Sequence, residues 1–155
     1  MRYTHTVIVG PDNCGKTRAL TQILNGRTAH GIWTEKCAAD DKGVAPVYLH
    51  PYGAKPQYST ENCIGFCQNS HSIAYPKVFD TVGVALLSNI KPDEIIVIDE
   101  VGVMERKALR YQETLLALMS KGENPIILVC RDKKDNFIEK ILNHPLVAKR
   151  VVCKK

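Results

Sequence analysis

The stretch Thr6-Val7-Ile8-Val9-Gly10-Pro11-Asp12-Asn13-Cys14-Gly15-Lys16-Thr17 decides how the rest of the chain is read. Its first four residues are a β-branched run suited to a buried strand, and the next eight satisfy G-x-x-x-x-G-K-[ST]. From Thr17 to Asn25, Ala19, Leu20, Ile23 and Leu24 recur on one helical face, which Gly26 closes. Strand, loop and helix in this order predict backbone N–H groups turned inward on phosphates, with a helix N-terminus behind them. Gly10, Pro11, Asp12, Asn13, Cys14, Gly15, Lys16, Thr17 and Arg18 are thus the expected nucleotide-binding segment. Lys16 is expected to reach the β- and γ-phosphates, and the Thr17 hydroxyl to bind Mg²⁺. The competing reading is a glycine-rich turn with an incidental lysine. Cys14, near a helix N-terminus, is either an oxidation-sensitive thiol or a small residue turned away from the phosphates.

Further along, Ile95-Ile96-Val97-Ile98 is an apolar run of the kind found inside a parallel sheet, and it delivers Asp99 and Glu100 at its C-terminal end. Ligands of open α/β sheets bind at that edge, so this strand should face the phosphate loop. Asp99 is expected to hold Mg²⁺, and Glu100 to orient and deprotonate an attacking water. A cap or ion pair in the following turn is the alternative for Glu100.

Between and beyond these motifs the pattern alternates. Extended stretches are expected at Gly31–Cys37, Val44–Leu49, Ile126–Cys130 and Val147–Cys153. Helices are expected where Val78, Phe79, Val82, Ala85, Leu86 and Ile90 recur, over about Lys107 to Ser120 with Leu109, Leu115, Leu116 and Met119 buried, and around Phe137, Ile138, Ile141 and Leu142. Such alternation implies right-handed βαβ units and a largely parallel sheet covered on both faces. Residues 43–76 depart from it, with four of the eight prolines, four of the six tyrosines, and Lys55 and Glu61 as their Lys, Arg, Asp or Glu residues. They are too long for a bare connection and read as an ordered insertion, with short antiparallel strands, over one edge of the sheet.

Composition narrows the function classes. The 155 residues are 45% hydrophobic and 24% charged, as in a globular chain, and suit one domain, residues 1–155. Neither a membrane-length apolar run nor a signal-peptide core follows Met1-Arg2-Tyr3. With that context the six cysteines suggest a reduced cytoplasmic protein rather than a disulfide framework. The net charge of +5 belongs to residues 131–155, which hold 8 basic and 3 acidic groups; residues 1–130 hold 13 of each. A nucleic-acid surface over the whole domain is therefore not expected, although the tail around Lys149, Arg150, Lys154 and Lys155 would suit electrostatic contact.

Val97-Ile98-Asp99-Glu100-Val101-Gly102-Val103-Met104-Glu105 is similar to the "hydrophobic-DE-hydrophobic-G-K-M-E" signature of the small P-loop nucleoside-triphosphatases, the thermophile-type or cancer-related group. Gly31-Ile32-Trp33-Thr34-Glu35 resembles that family's "G-F-x-T-E". The resemblance runs loosely from Thr6 to about Val152. It implies a RecA/AAA-like fold and slow Mg²⁺-dependent hydrolysis of several NTPs, with Lys16 and Thr17 on phosphate and metal, Asp99 on metal and Glu100 on water. It assigns Glu105 no role. The chain departs from the pattern at Asn13, where the family has glycine, at Arg18, at Val103, where it has lysine, and at Arg106-Lys107-Ala108. Asn tolerates a left-handed backbone, so the loop should survive.

Weaker constellations remain. Cys63, Cys67 and His71, with Cys37 and His50, would suit zinc, but no second close pair accompanies them, and core packing competes. Arg131 should emerge at the nucleotide edge, either to stabilise γ-phosphate charge or to sit solvated beside Asp132. Trp33 and the insertion tyrosines are either core or base-stacking groups. Three functions follow: an NTP hydrolase, a nucleotide or nucleoside kinase with its acceptor site in the insertion, and a nucleotide-dependent switch with little turnover.

Overall fold

The computed structural model describes residues 2–154; Met1 and Lys155, the end of the basic tail, lie outside the described residues. The elements are β1 (His5–Gly10), α1 (Lys16–Leu24), β2 (Ala29–Lys36), β3 (Val44–Pro51), β4 (Cys63–Gln68), β5 (His71–Ala74), α2 (Pro76–Val78), a π-helical turn (Phe79–Gly83), α3 (Val84–Ser88), β6 (Ile95–Val101), α4 (Leu109–Lys121), β7 (Ile126–Arg131), α5 (Asn136–Leu142) and β8 (Val147–Val152). The strands form one sheet in the order β5-β4-β3-β2-β6-β7-β1-β8. From β2 to β8 every neighbouring pair is parallel; β2/β3, β3/β4 and β4/β5 are antiparallel.

The insertion is ordered, but it lengthens the sheet rather than lying over its edge. After β2 pairs with β6, its outer edge still carries unpaired backbone groups. β3 satisfies them in the register Trp33↔His50 and Glu35↔Tyr48, and β4 and β5 repeat the step. The helical stretch after Pro76 is interrupted by the π turn, and β2 begins at Ala29, two residues before the expected Gly31.

Two apolar layers hold the sheet. On one face α1 buries Leu20 and Leu24 against Ile8, Val97 and Val129. On the other, Phe79, Leu87, Tyr111, Leu115, Phe137 and Ile141 from the remaining helices cover Val7, Ile96, Ile98 and Leu128. Leu109 was expected in this second layer and is instead 64% exposed, because α4 starts there and turns its inward face from Tyr111 through Leu115 to Met119. Gly31 has φ +120°, and a Cβ there would stand 2.1 Å from the Val97 carbonyl oxygen, so a glycine lets β2 close on β6. Among the described residues no helix is long and apolar enough to cross a membrane.

Candidate active site

β1 and β6 both end at one edge of the sheet, and the residues that follow them meet there. Asn13 (φ 60°) and Gly15 (φ 95°) take left-handed backbone, which wraps the loop round the start of α1. Lys16 is 7% exposed, and its Nζ donates to the Gly10 and Pro11 carbonyl oxygens at 2.6 and 2.9 Å. The ammonium is therefore solvated by the loop itself, and a phosphate would exchange those carbonyls for charged oxygens.

The two motifs touch through Thr17, whose Oγ1 donates to Asp99 Oδ2 at 3.2 Å across 82 residues of sequence. A hydroxyl and a carboxylate so placed are hard oxygen donors that would suit Mg²⁺. Among the described residues no group of three or more His, Cys, Asp or Glu side chains stands ready for a metal, so the zinc arrangement is not formed. Cys63 Sγ donates to the Gly65 carbonyl, and Cys67 faces Ser72.

Successive residues of a regular strand point to opposite faces. A bulge between Asp99 and Val101 leaves Glu100 without a partner on β7, and both carboxylates come under the influence of Lys16. Burial raises both carboxyls above the ordinary range. For Asp99 the Thr17 hydrogen bond and the Lys16 charge pull the other way; for Glu100 the charges of Lys16 and Arg131 do so.

Arg131 closes the group from the end of β7. Its Nη2 donates to Asp12 Oδ2 at 3.0 Å, while its Nε, a buried atom, lies 3.9 Å from Glu100 Oε1 and has no hydrogen-bond partner among the described residues. Its partner is thus Asp12 rather than Asp132, and its side chain remains 26% exposed. Opposite the loop, the chain after β2 and the β4–β5 turn form the far wall of a cleft of about 980 Å³, with Lys36, Cys37, Asn69 and His71 facing Lys16, Arg18 and Glu100. Trp33, in register with Asp99 on the neighbouring strand, packs with its ring centroid 4.6 Å from that of His50, in a cluster with Tyr48 and Tyr58 around Glu35. Lys149, Arg150 and Lys154 of the tail are exposed.

Sequence reasoning missed the work of Glu105. It is 2% exposed and accepts the Gly102 N–H at 3.1 Å, which ties the turn after β6 beneath Arg131. Burial pushes its carboxyl up to about 7. The folded state therefore holds this proton to higher pH than the unfolded chain. The resulting stability is complete below the usual glutamate range, is lost as pH rises toward 7, and amounts to something on the order of 3 kcal/mol. Glu105→Gln keeps an acceptor for Gly102 and removes the proton. Urea unfolding at pH 5 and pH 8 should show the variant losing less stability than wild type over that interval and surpassing it at pH 8; equal pH slopes would contradict the assignment.

The chain matches, over residues 5–155, the model of a protein family described as NTPase. THEP1 from the hyperthermophile Aquifex aeolicus superposes with a TM-score of 0.64 at 17% identity, covering 97% of this chain and 88% of that one. A human cancer-related nucleoside triphosphatase gives 0.61 at 18% identity, covering 96% of this chain and 88% of its own. At such identities the likeness is one of fold, a mostly parallel P-loop sheet flanked by helices. No curated protein matches the chain.

Proposed function

The chain belongs to the NTPase family, and from that premise we propose that it binds a nucleoside triphosphate with Mg²⁺ and slowly hydrolyses it to the diphosphate and phosphate, residues 1–155 acting as one domain. The observation that carries this reading is the Thr17–Asp99 contact at 3.2 Å, which joins the phosphate loop to the acidic strand end beside Glu100. Lys16 binds the β- and γ-phosphates once released from the Gly10 and Pro11 carbonyls. Thr17 and Asp99 would hold the metal, which would supply charge neutralisation on the phosphates. Glu100 orients water and takes its proton, and the unpartnered Arg131 Nε donates toward charge developing on the γ-phosphate.

The breadth of the cleft favours one second reading, a kinase. The wall formed by Lys36, Asn69 and His71 leaves room for an acceptor beyond the γ-phosphate. The two are separated by measuring phosphate release from ATP, GTP, CTP and UTP with Mg²⁺ or EDTA, with and without added nucleosides. The hydrolase reading expects Mg²⁺-dependent release to water that nucleosides do not divert. Phosphate recovered on a nucleoside would transfer the site to the kinase class, and release seen only after adding a macromolecule would make it a switch.

A further inference from the structure

Cys14 and Cys153 stand 139 residues apart in sequence and meet behind the phosphate loop. Cys153 Sγ donates to the Cys14 carbonyl oxygen at 2.6 Å, and the Cys153 N–H donates to Val9 O at 2.8 Å, which extends the β1–β8 pairing by one residue. The two side chains converge on the space that a side chain at Gly10 would fill. A Cβ built there lies 2.7 Å from Cys14 Sγ and 3.0 Å from Cys153 Cβ. The two side chains thus approach one another across Gly10, the proximity that a disulfide between them needs. Both residues are partly exposed and, like the other four cysteines, unpaired.

We propose that Cys14 and Cys153 are a redox-modification site, at which a hydroperoxide joins them in a disulfide that pins the phosphate loop to the end of β8 and lowers nucleotide affinity. The Cys14 thiolate attacks the peroxide oxygen, giving a sulfenic acid and water (or an alcohol). The Cys153 sulfur then attacks Cys14 Sγ and expels hydroxide, which leaves as water with the Cys153 proton. Two thiols lose two electrons and the peroxide gains them; a dithiol reductant reverses the step.

Affinity falls because Lys16 grips the Gly10 and Pro11 carbonyls, so admitting a phosphate requires the loop to shift. A bond from Cys14 to a sheet strand opposes that shift. This consequence rests on the proposed function; the dithiol itself does not.

The test is a hydrogen peroxide titration of the whole protein, followed by alkylation and peptide mapping. In parallel, binding of a fluorescent ATP analogue is measured before oxidation, after it and after dithiothreitol. Wild type should yield a Cys14–Cys153 peptide two hydrogens lighter, and at least about fivefold weaker binding restored by reductant, the lower end of ordinary coupling between sites. Cys153→Ser keeps a donor for the Cys14 carbonyl; reduced, it should bind as wild type does, and oxidation should form no link and cause no loss. Cys14→Ser should also form no link. Cys14 and Cys153 remaining open to alkylation, or linking to other cysteines such as Cys37 or Cys63, would overturn the site; a mapped link with unchanged binding would overturn its effect on the loop. Reduced wild type that binds no nucleotide would count against the NTPase reading and leave the peptide map to judge the dithiol.

Discussion

Glu100→Gln is expected to slow phosphate release at least ~10²-fold while leaving NTP binding intact, the scale of lost general-base help. Glutamine has nearly the shape of glutamate and can still hold a water, so the variant removes proton acceptance and little else. The setting makes this carboxylate suited to the task. Burial lifts its proton affinity, and the Lys16 and Arg131 charges keep it from rising unchecked. A base raised in this way loses activity as pH falls through a range above that of an ordinary carboxylate, so the acid limb of the wild-type profile should be displaced upward. Stopped-time phosphate assays across pH, paired with equilibrium binding of a fluorescent nucleotide, check both halves. Unchanged turnover in the variant would remove Glu100 from the mechanism.

Lys16→Ala should abolish measurable turnover and weaken NTP binding roughly 10- to 100-fold, since a hydrogen bond to a charged group is worth about 1.5–3 kcal/mol. The fold should persist. The lysine's partners are the carbonyls of buried Gly10 and exposed Pro11, water can enter the space that the side chain vacates, and the variant no longer keeps a charge almost wholly out of solvent. Thermal melting separates the cases: a normal transition with lost binding supports a phosphate contact, whereas an early transition would make Lys16 chiefly a structural strut of the loop.

Much of the candidate site was legible because its chemistry is carried by short, contiguous spacing. The strand, loop and helix around Lys16 and the apolar strand ending in Asp99 each fix their own geometry locally, and the rule that ligands bind at strand carboxyl ends brings them together. Arg131 was placed at that edge by the same rule, but its partner was not: Asp12 lies 119 residues away, and no local pattern marks the pair. Leu109 was misjudged for a related reason. Helical periodicity identifies an apolar stripe but not where the helix begins, and one turn at the N-terminus decides whether a leucine points inward.

The amino-acid sequence by itself determined a glycine-bearing loop at 10–17 between a strand and a helix, an acidic strand end at 99–100 and a mostly parallel sheet, because periodicity, glycine placement and strand ends are local properties of the chain. Tertiary structure alone decided four things: that the insertion lengthens the sheet, that the β6/β7 register breaks at Glu100, that Glu105 is shut away from water, and that Cys14 meets Cys153. Each depends on the register and burial of segments far apart in the chain, which are set when unpaired strand edges and apolar faces find their partners.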